Sequence, residues 1–161
     1  MAVLNVHERV IDAPANTVGE LLQTLGQPDD RLWPAENWPA MKLDRPVGIG
    51  AMGGHGPVRY GIAGYAESRW VRFEFSAPAG FHGFHEYTVH PLDEQRAVLR
   101  HTLTMKTRGV SRISWPLAFR WFHDAVLEDS LDLAEKACTG GVRRPARWGL
   151  YVRLLRRITP S

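Results

Sequence analysis

The chain has 161 residues, 44% of them hydrophobic and 23% charged, ordinary values for one soluble globular domain able to bury a real core. No stretch approaches the ~20 consecutive apolar residues of a membrane span, and residues 1–11 lack the basic-then-apolar pattern of a secretory signal. Cys138 is the only cysteine, which rules out an intrachain disulfide and suits a reducing, cytoplasmic setting.

The net charge of +3 is unevenly placed. Six arginines and no acids follow Thr139, leaving fourteen basic and seventeen acidic residues elsewhere, a net of −3 for the body. A basic tail on an acidic body argues against a broad nucleic-acid surface, and no nucleic-acid partner is expected.

Residues 3–11, rich in Val and Ile, read as a strand. Ala13-Pro14-Ala15 ends it and opens a helix, since proline lacks only an N–H that the first turn leaves unpaired. Val18, Leu21, Leu22 and Leu25 give that helix an apolar stripe, and Gly26 stops it. Residues 28–38 read as a short helix or an irregular segment. Trp33 and Trp38 there either cap a cavity entrance or brace a turn, with the turn favoured. Residues 41–47 read as a second strand.

A glycine-dense run covers residues 48–56. Gly48-Ile49-Gly50-Ala51-Met52-Gly53 matches G-x-G-x-x-G, but a strand follows it, so a phosphate would meet no helix N-terminus. It reads instead as a flexible loop at a cavity mouth. Four strands follow at 57–65, 69–76, 83–91 and 96–107, joined by short turns that favour an antiparallel meander over a parallel sheet.

The spacing predicts a long helix over residues 113–137. On a wheel of roughly 100° per residue, Phe119, Phe122, Val126, Leu127, Leu133, Ala134 and Ala137 share one face. Asp124, Glu128, Asp132 and Glu135 share the other. His123 falls within the apolar face, with Ser130 further along. Asp124 is turned about 100° away from His123 and reads as a solvated residue that does not share its site.

Gly140 and Gly141 break the helix, dividing the chain into a body, 1–138, and a basic tail, 139–161. Residues 146–158 form an amphipathic helix, with Trp148, Tyr151, Val152, Leu155 and Ile158 opposite Arg153, Arg156 and Arg157. Such a helix packs on the body near Leu117 and Trp121, packs on a second subunit as a homodimer, or lies on an anionic membrane through residues 143–158. Packing, on the body or on a second subunit, is favoured over membrane contact.

The order strand, helix, helix, antiparallel strands, long helix is an α+β pattern with helices on one face of the sheet. Val10-Ile11-Asp12-Ala13-Pro14-Ala15, Val18, Leu21-Leu22, the segment from Gly80 to Tyr87 and the helix around His123-Asp124-Ala125 carry a resemblance. Over residues 1–138 the chain resembles the SRPBCC superfamily, which unites START domains, Bet v 1-like proteins and polyketide cyclases, in its polyketide cyclase/dehydrase-like branch. That resemblance implies a helix-grip fold: a curved antiparallel sheet wrapped around the long C-terminal helix, two short helices after the first strand, and an apolar cavity between sheet and helix. It implies either binding of a small hydrophobic molecule or a cyclase or dehydratase reaction, and no cofactor.

Strand alternation then sorts the lining. Val58, Tyr60 and Ile62 point inward, as do Val71, Phe73 and Phe75; His85, Tyr87 and Val89; and Leu99, His101, Leu103 and Met105. The candidate ligand-binding residues are Tyr60, Phe73, Phe75, His85, Tyr87, Leu99, Leu103, Phe119, Val126 and Ser130. An apolar wall with a few polar groups suits a polyketide-, aromatic- or lipid-like molecule. Phe73, Phe75, Phe119 and Phe122 are also bulky enough to fill the space.

His123 and His101 are the candidate catalytic residues. Imidazole titrates near neutrality, and cyclisation or dehydration moves a proton from carbon to oxygen. Burial as core histidines is the competing reading. His85, His101 and His123 sit on three elements with no HxH or HExxH spacing, so no metal is expected.

Overall fold

The computed structural model describes residues 1–158. Its elements are β1 (Ala2–Ile11), α1 (Ala15–Gln23), β2 (Lys42–Leu43), β3 (Met52–His55), β4 (Val58–Ala66), β5 (Trp70–Ala77), β6 (Phe81–Pro91), β7 (Ala97–Thr107), α2 (Ser111–Ser114), a π-helical turn (Trp115–Phe119), α3 (Arg120–Thr139) and α4 (Leu150–Ile158). The strands form one antiparallel sheet in the order β1-β7-β6-β5-β4-β3-β2. Only the β1–β7 pair is non-sequential, and β1 pairs with β7 along its full length, Ala2 opposite Lys106 and Ile11 opposite Ala97. Irregularities in β4, beside Tyr60 and Gly64, shift the register against β5, the kind of defect that bends a sheet.

Alternation builds the inner face of that curved sheet as expected. Tyr60, Phe73, Tyr87, Leu99 and His101 are all at most 1% exposed. Phe81 adds to this face, because β6 begins two residues earlier than the expected 83–91. Helix α1 buries Val18, Leu21 and Leu22. Gly19 lets it lie on the β4–β5 turn: a Cβ there would sit 1.9 Å from the Ser68 carbonyl oxygen.

Three local expectations need correction. The strand expected at 41–47 shrinks to Lys42–Leu43, since the Asp44 carboxylate caps the Met52 N–H at 2.9 Å and Pro46 has no donor to give a ladder. The glycine run is not all loop: Met52–His55 pairs with β4, and a Cβ at Gly53 would sit 2.0 Å from the Lys42 carbonyl oxygen. Residues 28–38 form turns rather than a helix. The Asp30 carboxylate accepts the N–H groups of Gly26, Leu32 and Trp33 at 2.8–2.9 Å.

The α2, π-turn and α3 segments run on as one 29-residue helix. Pro116 cannot donate to the ladder, and the helix accommodates it with the π turn, where the Arg120 N–H reaches back to the Trp115 carbonyl. The Trp121 indole N–H donates to the Pro116 carbonyl at 3.0 Å. Gly140 in the left-handed region (φ 81°) ends the helix.

The wheel is right for Val126, Leu127, Ser130 and Ala134, which are buried, but not for its last turns. Ala137 is exposed, whereas Glu135 is 2% exposed. Arg9 of β1 and Arg143 of the tail pair with Glu135 at 2.7 and 3.1 Å, and a wheel cannot see partners that come from elsewhere in the chain.

The segment after Gly140 packs on the body. Arg143 donates to the Val10 carbonyl at 2.9 Å, Trp148 to the Asp129 carboxylate at 2.9 Å, and Tyr151 to the Leu117 carbonyl at 2.7 Å. Val152 and Leu155 of α4 are buried. The last three residues of the expected 139–161 tail lie outside the described residues. Among the described residues, no helix is long and apolar enough to cross a membrane.

Candidate ligand cavity

A cavity of about 570 Å³ lies between the sheet and the long helix. The sheet contributes Phe75, Phe81, His85, His101 and Leu103, and the helix Trp115, Ala118, Phe119, Phe122, His123, Val126 and Leu127. Trp33, Trp38 and Pro39 close one side, and His55, Gly56, Pro57 and Val58 bring in the β3–β4 turn. Arg156 of α4 is the only Lys, Arg, Asp or Glu on the wall among the described residues.

Of the residues expected there, Phe75, His85, His101, Leu103, Phe119, His123 and Val126 reach the wall. Tyr60, Phe73, Tyr87, Leu99 and Ser130 do not. Phe73 stacks on the far side of His85, ring centres 4.9 Å apart, and Leu99 is wholly buried in the main core. The Tyr60 hydroxyl lies 3.0 Å from His55 Nδ1. Ser130 donates to the Leu32 carbonyl at 2.8 Å, so its oxygen can only accept from the Tyr87 hydroxyl, 2.9 Å away. These hydroxyls brace the core. The phenylalanines leave the space open: Phe75 and Phe119 each meet Phe81 edge-on at 5.6 and 5.2 Å and form the wall.

His55, Phe81, Trp115 and Arg156 are wall residues that sequence reasoning missed, and for Trp33 and Trp38 it left a place at the cavity open but favoured a turn. Trp33 donates to the Pro39 carbonyl at 2.9 Å and Trp38 to Asp129 at 2.7 Å, so these tryptophans brace a turn and also face the cavity. Pro116 was the available signal for the π turn that carries Trp115. Arg156 lies over the rings of both Trp38 and Trp148, at 4.7 and 4.5 Å, and donates to the Asn37 carbonyl.

Four imidazoles meet this cavity. His85 Nδ1 and His101 Nε2 are 3.1 Å apart, so one donates and the other accepts. Burial, and then the neighbouring histidines, hold both pKa values well below the ordinary histidine range. Burial, with His123 and Arg59 adding to it, pushes His55 down to about 3. Burial also lowers His123, although Asp124 opposes the shift. Neither ring nitrogen of His123 has a hydrogen-bond partner among the described residues.

Asp124 is not the solvated residue that the wheel suggested. Its Oδ1 lies 2.8 Å from Asn5 Nδ2, 3.2 Å from His7 Nε2 and 3.7 Å from His123 Nδ1. His7 Nδ1 meets Glu128 at 2.7 Å. Burial pulls the His7 pKa down, but bonds to Asp124 and Glu128 outweigh it and raise the value to about 9. Burial resists ionisation of Asp124, yet His123, His7 and Asn5 hold its pKa below the usual carboxylate range.

His7, His123 and Asp124 each bring one ligand-type atom within 4.8 Å of the others, the one such group among the described residues. It contains neither His85 nor His101. His7 is bonded to two carboxylates and holds a proton there, which competes with metal ligation.

No family model matches the chain, and no curated protein does. Solved structures match it by shape. A protein from Thermobifida fusca has a TM-score of 0.63 at 18% identity, covering 83% of this chain and 92% of that one. Norcoclaurine synthase from Thalictrum flavum has a TM-score of 0.64 at 13% identity, covering 84% and 86%. CalU16 from Micromonospora echinospora has a TM-score of 0.60 at 12% identity, covering 98% and 83%. At such identities shared shape speaks for the fold and not for the activity. The chain therefore has the helix-grip, Bet v 1-like fold, a curved antiparallel sheet around a long C-terminal helix.

Proposed function

We propose that the protein binds a small, mainly hydrophobic molecule of aromatic, polyketide-like or lipid-like character between its sheet and its long helix. The observation that carries this is the open cavity of about 570 Å³, aromatic on most sides, with uncharged imidazoles and one arginine converging on it. Ligand sites commonly have this form. Burying about 200 Å² of apolar ligand surface is worth ~5 kcal/mol before the costs of association. His85, His101 and His123 would orient polar atoms of the ligand, and Phe75, Leu103, Phe119 and Val126 would hold its apolar body. Norcoclaurine synthase, similar in shape, has been solved in complex with dopamine and hydroxybenzaldehyde, which supports an aromatic guest for this type of cavity. We place the protein in the cytoplasm, where Cys138 stays reduced.

Titration with anilinonaphthalene sulfonate tests the reading. One saturable site per chain is expected, and Ala118→Trp, which fills the cavity, should weaken binding about tenfold or more with unchanged circular dichroism. Equal affinity in the two proteins would remove the cavity as the site.

One observation favours a second reading, a cyclase- or dehydratase-type reaction. His123 stands at the wall with both nitrogens unpaired and Asp124 behind it, an arrangement in which a neutral imidazole accepts a proton from a carbon acid and the carboxylate stabilises the cation formed. His101 serves less directly, because His85 occupies its Nε2. For an enzyme, His123→Ala should abolish turnover of a polyketide-like substrate and leave affinity within a few-fold; equal loss of both leaves binding alone.

A further inference from the structure

The helices that frame the cavity carry a second apolar surface on their outer side. Ile113, Leu117 and Trp121, at four-residue spacing, are 64%, 58% and 43% exposed. Leu150, Leu154 and Ile158 of α4 repeat the spacing and are 82%, 55% and 68% exposed. Tyr151 joins the two stripes: its ring lies 5.2 Å from that of Trp121, and its hydroxyl bonds the Leu117 carbonyl.

These residues are not spare parts of the core. The inward sides of the same helices are already occupied, Trp115 and Phe119 at the cavity wall and Val152 and Leu155 against the body. Packing α4 on the body therefore leaves its other face greasy. The charge around that face is one-sided: residues 108–123 and 139–158 hold nine arginines and no aspartate or glutamate. Only Arg120 and Arg143 of the nine pair with a carboxylate among the described residues. Arg112, Arg153 and Arg157 are exposed.

We propose that this two-helix face docks on an anionic lipid bilayer, its leucines, Ile113 and Trp121 at the headgroup–acyl boundary and its arginines among the phosphates. Apolar stripes edged by arginine, with interfacial Trp and Tyr, have the chemistry of an in-plane membrane contact. A second copy of the chain fits the charge less well, because a two-fold contact would set arginines against arginines. Helix α4 also reaches the cavity wall through Arg156, so the docked face adjoins the cavity. The inference does not depend on what fills that cavity.

Co-sedimentation of the full chain with vesicles of phosphatidylcholine, alone or mixed with phosphatidylglycerol, tests it. Binding is expected only to the mixed vesicles and should fade as salt is raised. Arg153→Gln with Arg157→Gln should lower the partition coefficient about tenfold or more, and Leu154→Ser should lower it as well. The cavity-filling Ala118→Trp should partition like the unaltered protein, which separates this face from the ligand site. Failure to sediment with mixed vesicles, equal binding to neutral ones, or wild-type partition by the double arginine variant overturns the proposal. So does a dimer in sedimentation velocity that Leu154→Ser dissolves.

Discussion

Two sides of helix α3 treat histidine in opposite ways. On the cavity side, His55, His85, His101 and His123 are held neutral, with burial as the dominant cause. On the β1 side, His7 is held charged, although its ring centre lies only 6.0 Å from that of His123. The difference is the carboxylate ladder Asp124, Glu128, Asp132 and Glu135, which lies along β1 and is answered there by His7 and Arg9. The environment, more than the residue type, decides whether an imidazole is a polar contact for a ligand or half of an ion pair.

The largest expected effect separates the two sides by pH. The cavity histidines have folded pKa values below the 6.5 of an unfolded chain, so their contribution is intact above that value and is lost as pH falls. Each pH unit below 6.5 should cost about 1.4 kcal/mol for every histidine that stays neutral, several kcal/mol in all. Urea unfolding at neutral and mildly acidic pH measures this, and a stability that is level across that range would contradict the buried-neutral assignment.

Next comes the ladder itself. Arg9→Ala leaves Glu135 with Arg143 alone and removes the ion-pair partner of Asp132, 2.9 Å from Arg9, leaving that carboxylate the Ala146 N–H. The loss should be about 3 kcal/mol by urea unfolding, the cost of exposing a buried carboxylate to its own desolvation. A loss under about 1 kcal/mol would mean that Arg143 suffices and that the seam behaves as a surface.

The smallest effect is on the alkaline side. His7 has a folded pKa of about 9 against 6.5 unfolded, so its contribution is full below 6.5 and disappears as pH rises through about 9. Screening at this part-exposed site reduces the gain to about 1 kcal/mol. His7→Gln should remove that alkaline decline and leave most of the acid decline in place, because burial is the first cause of the lowered cavity histidines and the His7 charge a lesser one. Loss of the acid decline in this variant would mean that the His7 charge, and not burial, holds them neutral.

The comparison also marks what was legible in the sequence. The inner face of the sheet followed from period-two alternation, because a strand with one buried face leaves little freedom in its register. The inner half of the long helix followed from its 3.6 period. The seam did not, because Glu135 and Asp124 are fixed by Arg9, Arg143, His7 and Asn5, residues outside the helix and so invisible to a wheel. The cavity was half legible for the same reason. His101 and Leu103 follow from their strand, but His55 lies in a glycine run that resembles a loop, and Arg156 reaches the wall only because α4 folds back over Trp38. Tyr87 and Ser130 share the inner face with true wall residues, yet their hydroxyls are consumed by each other and by Leu32.

The most direct test of the central claim is to find where an apolar probe sits. Nuclear Overhauser contacts from bound anilinonaphthalene sulfonate should reach the methyl groups of Leu103, Val126 and Leu127, which line the cavity. Contacts confined to Leu150, Leu154 and Ile158 would place the probe on the outer basic face and contradict a ligand site between sheet and helix.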